Sequence, residues 1–199
     1  MYPRRFVPPG FEVPALRTER FELAPLGLAD LVADYEALMA TGDRLDGLLL
    51  PPGWIGDVTA FTLADDIVEL GWHEREFRTQ ASFAFIARDL VGTRSLGCAY
   101  INPTDRVGYD AEVLTWGRWD PAEPDLDPHL FDTVRTWVHT AWPFQRPAFP
   151  GREIPWDDWL SLRAQGEAEV SEPTSRAEWT AGAAPRPLTA SLDADRPER

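Results

Sequence analysis

Between residues 82 and 118 the chain alternates apolar and polar positions three times over. Ser82-Phe-Ala-Phe-Ile-Ala-Arg88, Leu96-Gly-Cys-Ala-Tyr-Ile-Asn-Pro103 and Asp110-Ala-Glu-Val-Leu-Thr-Trp-Gly-Arg118 each read as a strand. The period then lengthens, and residues 126–138 predict a helix. Upstream, residues 20–26 alternate as a first strand, and Leu28, Leu31, Val32, Tyr35, Leu38 and Met39 recur at helical spacing until Gly42. Residues 48–57, with Pro51-Pro52-Gly53, read as an irregular loop. A second helix is predicted from Thr62, containing Leu63, Ile67, Leu70, Trp72 and Phe77, with His73, Glu74, Arg75, Glu76 and Arg78 on its exposed face. Residues 143–151 predict a proline-interrupted strand at or near a sheet edge, and a short helix follows Pro155.

Outside these elements the pattern fades. Residues 1–18 carry Pro3, Pro8, Pro9 and Pro14, so an extended arm is expected, either lying over the domain or loose. Residues 19–163 form the expected globular domain. Residues 164–199 are polar and rich in Pro, Ala and Glu, with Trp179 their one aromatic, and are expected to form a disordered or loosely docked tail.

Composition narrows the function classes. With 44% hydrophobic residues and nine tryptophans, 199 residues can fill a sizeable core. The net charge of −14 disfavours nucleic acid and anionic membranes, because phosphate binding requires clustered positive charge. All 19 basic residues are arginine, the bias of a GC-rich genome. Cys98 is the single cysteine, so an intrachain disulfide and a cysteine zinc site are excluded and a reducing, cytoplasmic setting is expected. Arg4-Arg5-Phe6 is followed by no continuous apolar stretch, so export is not expected.

The candidate chemistry is sparse. His73, His129 and His139 lack the spacing of a helical metal pair, and no metal is expected. Cys98, between Gly97 and Ala99, reads as a small core residue in preference to a nucleophile. No Gly-x-Ser-x-Gly elbow surrounds Ser82 or Ser95. Trp137 and Trp142 are expected in the core, and Trp119 is the better candidate for an exposed site.

The element order, with Asp110-Ala-Glu-Val-Leu-Thr-Trp-Gly-Arg118 and Cys98-Ala-Tyr-Ile-Asn102, resembles the GNAT N-acetyltransferase family over roughly residues 19–162. The resemblance implies an α/β (α+β) fold: a mixed, largely antiparallel sheet flanked by helices and splayed between its fourth and fifth core strands. It further implies acetyl-CoA as acyl donor, with pantetheine on the backbone of the strand ending at Trp116, Gly117 and Arg118. His129, in the first helical turn, is a candidate phosphate or acceptor contact, its other reading a surface histidine. Trp119, beside the acidic loop, is a further cofactor-binding candidate, and by the resemblance Glu112 would be the base that deprotonates a small-molecule or peptide amine. The other reading of Glu112 is a solvated carboxylate or one paired with Arg118. A homodimer through surface tryptophans is a further expectation.

Two departures oppose this implication. The family's glycine-rich pyrophosphate loop is replaced by a glycine-free segment holding Asp120, Glu123, Asp125 and Asp127. A helix N-terminus favours an anion by about 0.3–1 kcal/mol, whereas one carboxylate ~4 Å from a phosphate opposes it by roughly 4 kcal/mol at an effective dielectric of 20. Asp127 is also expected to cap the helix opening at Pro128. The tyrosine that protonates the departing thiolate in many family members has no counterpart between residues 143 and 163. The alternative is therefore a GNAT-fold protein without CoA binding, serving as a small-ligand or protein-interaction module.

Overall fold

A computed structural model describes residues 6–164. Its centre is a six-stranded sheet whose spatial order follows the chain: β1 (Leu16–Arg17), β2 (Phe21–Pro25), β3 (Phe83–Asp89), β4 (Ser95–Asn102), β5 (Ala111–Gly117) and β6 (Pro147–Ala148). The first five strands pair antiparallel, because short connections or a return over helices reverse the chain each time. β6 pairs parallel to β5, as it must after a helical crossover. The architecture is the expected α/β one: a mixed, largely antiparallel sheet between helices.

Helices α1 (Leu31–Thr41) and α2 (Leu63–Thr79) cover one face, and α3 (Leu126–Ala141) covers the other. Strand alternation assigns the side chains. Phe83, Phe85, Ala99, Ile101 and Val113 meet Leu130, Val134, Trp137 and Val138 of α3, while Ile86, Cys98 and Trp116 meet Leu38 and Leu70 on the α1/α2 side. Trp137 and Trp142 both lie in the α3-side core, their rings edge to face 5.3 Å apart. A fourth helix, α4 (Trp156–Ser161), seals a smaller cluster of Leu114, Ala148, Trp156 and Trp159.

The described part of the amino-terminal arm lies over the domain. Val7 is buried in the α3-side core, Phe6 stacks on Phe144, and the Phe6 amide donates to the Gln80 carbonyl at 2.7 Å. The arm also supplies β1, which the proline-rich pattern did not reveal. Residues 165–199, and with them almost all of the expected tail, lie outside the described residues. No helix among the described residues is long and apolar enough to cross a membrane.

Candidate functional site

The family resemblance places a thioester-bearing ligand where β5 and β6 part. They do part. Only Ala111↔Pro147 and Glu112↔Ala148 are paired, after which the chain leaves β6 through Phe149, Pro150 and Gly151. The opening is nevertheless filled from within. Arg152 reaches across it, its Nη2 donating to the Thr115 carbonyl at 3.1 Å. The same guanidinium grips Asp127 with two bonds of 2.7 and 2.6 Å. Asp127 Oδ1 in turn accepts the Gly117 amide at 2.8 Å. The backbone groups a pantetheine arm would use are thus already bonded to the protein's own side chains.

The local sequence explains the plug. Gly151 turns at φ +72°, and a Cβ there would meet the Gly47 carbonyl oxygen and Trp156 Nε1, each at 2.6 Å, so glycine alone lets this turn press inward and aim Arg152 at β5. On the other side, a Cβ on Gly117 would come within 2.5 Å of the Asp127 Cα. The first turn of α3 therefore rests on the end of β5, where a pyrophosphate would have to sit. Arg118 donates its amide to the Leu96 carbonyl at 2.9 Å, and Trp119 donates its amide to Thr41 Oγ1 at 3.1 Å.

Asp127 is consequently not the helix cap expected from its position. The cap position belongs to Asp125, which makes no side-chain bond to the helix amides, and Asp127 lies one residue inside α3 with its carboxylate turned to Gly117 and Arg152. The acidic loop is also not bare negative charge. Arg94 binds Asp120 at 2.5 Å and Glu123 at 2.9 Å, and Arg20 binds Asp125 at 2.7 Å. These arginines hold the loop against the ends of β2 and β4.

The remaining predicted residues do not converge on the opening. Trp116 is fully buried on the α1/α2 side, its indole N–H donating to the Tyr100 hydroxyl at 3.3 Å. Trp119 is half-exposed, with the Arg44 guanidinium 3.8 Å above its ring. His129 faces β2, edge-on to Phe21 at 5.8 Å. Glu112 is half-buried on the face covered by α4, where Trp159 hydrogen-bonds its carboxylate; burial, only partly offset by that bond and by Arg106, lifts its pKa to about 7. Glu112 is thus neither freely solvated nor, among the described residues, an ion-pair partner of Arg118, and its environment suits a proton acceptor near neutrality.

A cavity of about 60 Å³ lies elsewhere, between α1, α2, β4, β5 and the loop at Leu49–Leu50. Its polar wall is Asp34, Asp66, Glu69, His73 and Tyr100, and its apolar wall is mainly leucine, including Leu114. The two aspartates occupy core-facing helical positions. Asp34 continues the stripe of Ala37, Leu38 and Thr41 on α1, and Asp66 precedes Leu70 at the next turn of α2. Asp34 is 3% exposed and accepts the Cys98 thiol at 3.1 Å, while Asp66 is 2% exposed with Oδ2 lacking any partner.

Burial governs the titration of this wall. It pushes Asp34 up to about 6, with the Cys98 bond acting against it, and Asp66 up to about 8, with Asp34 and Glu69 adding repulsion. The Cys98 thiol and the Tyr100 hydroxyl are raised well above their ordinary values by the same desolvation. His73, expected on the exposed face of α2, instead packs 5.3 Å from the Tyr100 ring, and burial lowers its pKa to about 4, so it is neutral at pH 7. The sequence signal for this site was present in the polar residues Asp34, Asp66 and His73 standing where the helices turn inward.

No protein-family model matches the chain, and no curated protein matches it. Among solved structures, it is similar to a ribosomal-protein-S5-alanine acetyltransferase from Vibrio fischeri, at 12% identity and a TM-score of 0.49 over 65% of this chain and 69% of that one. It is also similar to a protein described as a GNAT-family acetyltransferase from Bordetella pertussis (14% identity, TM-score 0.42, 65% and 74% covered). A third is an acetyltransferase from Agrobacterium tumefaciens strain C58 (20% identity, TM-score 0.39, 65% and 69% covered). These neighbours are acetyltransferases, and at such identities function has to be argued from this chain's own residues. Among the described residues, no group of three His, Cys, Asp or Glu side chains is arranged to hold a metal ion.

Proposed function

We propose that this chain is a GNAT-fold protein that does not use acyl-CoA and instead binds a small ligand in the cavity between α1, α2 and the sheet. The observation that carries this reading is the Arg152–Asp127 pair, bonded simultaneously to the Thr115 carbonyl and the Gly117 amide. A thioester arm entering there has to displace a pair whose side chains are only 13% and 29% exposed. Separating a part-buried, doubly bonded pair costs more than the roughly 0–1 kcal/mol of a surface ion pair, because the charges are left partly desolvated and unpartnered. It also needs room at Gly117, where the backbone of α3 already sits against the strand. The missing glycine-rich loop and the missing tyrosine point the same way.

A second reading, an N-acyltransferase acting on a small or peptide amine, is favoured by one observation: Glu112 carries a proton-accepting carboxyl tuned to about 7 on β5. It requires the Arg152 turn to swing away before acetyl-CoA binds. Release of free thiol from acetyl-CoA, followed with a mixture of small amines and peptides, separates the readings. The expected result is no release above the protein-free background. Release that is abolished by Glu112→Gln restores the transferase.

A further inference from the structure

The cavity has a polar wall in which one buried oxygen, Asp66 Oδ2, has no partner. Asp66 is buried, its Oδ2 has no hydrogen-bond partner, and it lines the cavity together with Asp34 and Glu69. An unpaired buried carboxyl oxygen is costly: a retained proton lowers that cost in the free protein, and a cationic donor brought from outside would remove it. Among the described residues, the lining supplies no positive charge. Asp34 faces Asp66 from α1, with Asp30 beyond it; Glu69 and His73 flank it on α2; Cys98 and Tyr100 stand on β4. His73 is neutral, Arg88 is engaged with Asp30, and no arginine lines the cavity. The opposite wall is leucine and isoleucine, suited to a short hydrocarbon.

We propose that the ligand of this cavity is a small organic cation, an ammonium group on a short apolar body, whose N–H groups bond Asp66 and Asp34 while its hydrocarbon end packs on the leucines. The inference rests on the ligand-binding reading above. It describes a receptor site and not an acceptor subsite for acyl transfer, since none of Trp116, Gly117, Asp127 and Arg152 lines the cavity.

Proton balance follows from the facing carboxyls. In the free protein near neutrality the pair retains one proton, held mainly on Asp66. The ammonium enters charged, the carboxyl proton leaves to solvent, and both carboxylates then face the cation. Binding therefore releases about one proton and tightens as pH rises from 6 towards 8. The limiting change is about tenfold in Kd per pH unit, because one proton is exchanged.

The test uses the intact chain and n-propylammonium chloride as probe, with sodium chloride at equal ionic strength and 1-propanol as the neutral isostere. Thermal melts and calorimetric titrations are run at pH 6, 7 and 8. The expected result is millimolar binding of n-propylammonium that strengthens with pH, none of 1-propanol, and loss of binding in Asp66→Asn. Asp34→Asn serves as the second variant, with melting in the absence of probe reporting that each is folded. Equal binding of 1-propanol overturns the cation assignment while leaving a ligand-binding cavity in place. Binding of neither probe overturns the cation assignment and the ligand-binding reading together. Binding of n-propylammonium that survives Asp66→Asn, or that ignores pH, overturns the site as drawn.

Discussion

Three carboxyls raised by burial, Asp34, Asp66 and Glu112, make this protein's stability depend on pH, and Asp66 is shifted furthest. Asp66 is held near 8 in the folded chain and near the ordinary carboxylate value of about 3.9 when unfolded. The folded state therefore binds more protons between those values, so the contribution of Asp66 is complete below pH ~4 and is lost as pH rises through ~8. His73 acts oppositely, but only as pH falls from about 6.5 towards 4, below the window of interest. Glu112, at about 7, titrates within the window and cancels when two proteins that both carry it are compared. Asp66→Asn should thus lose less stability than the wild type between pH 6.5 and 8, by about 1–2 kcal/mol, given ~1.36 kcal/mol per pH unit per proton. Thermal melts should show the variant roughly 3–6 °C higher at pH 8 relative to its offset at pH 6.5. An unchanged offset contradicts the buried, proton-holding Asp66. At this scale the sequence was only partly legible. Cys98 as a core residue followed from its small neighbours on a strand, and the exposure of Trp119 followed from its place beside the acidic loop. Asp127 was misread because its spacing to Pro128 fits a cap, whereas its partner Arg152 lies 25 residues away and nothing local announces it. Asp34 and Asp66 were overlooked because a buried carboxylate has the same letter as a solvated one.

Elements were far more legible than side-chain roles. Strong alternation fixed β3, β4 and β5, and Thr62, which receives the Asp65 amide as a cap, fixed the start of α2. β1 was missed because a two-residue strand has no measurable period. The face of α2 was misjudged for a physical reason: Leu63, Ile67 and Trp72 remain 41%, 45% and 50% exposed, while Asp66, Leu70 and His73 turn towards the sheet. Apolar periodicity alone points the helix the wrong way when polar residues line an internal cavity. The contact between β5 and α3 decides what the site can hold, and it depends on one missing side chain. Gly117→Ala places a Cβ 2.5 Å from the Asp127 Cα, a backbone atom that no rotamer change can move. The expected cost is about 1–3 kcal/mol, as for other overpacking changes, read as a fall in denaturant midpoint with unchanged m-value. A neutral effect would mean that α3 does not rest on β5 and that the end of the strand is open.

For the whole molecule, the overall architecture was readable because it depends on a pattern summed over many residues. Whether the opening between β5 and β6 can admit a ligand was not, because that turns on a gap of atomic width between two diverging strands. Here the gap is crossed by Arg152 from one side and closed by the first turn of α3 from the other, while the unfilled space and the unpaired carboxylate lie on the α1/α2 face. The molecule thus combines a closed opening between β5 and β6 with a separate acidic cavity. Calorimetric titration of the intact chain with acetyl-CoA tests this account most directly. The closed slot predicts no saturable heat up to millimolar acetyl-CoA and no rise in melting temperature, whereas saturation at about 100 times a dissociation constant would stabilise the fold by roughly 2.7 kcal/mol. Saturable one-to-one binding of acetyl-CoA by the unmodified protein would contradict it.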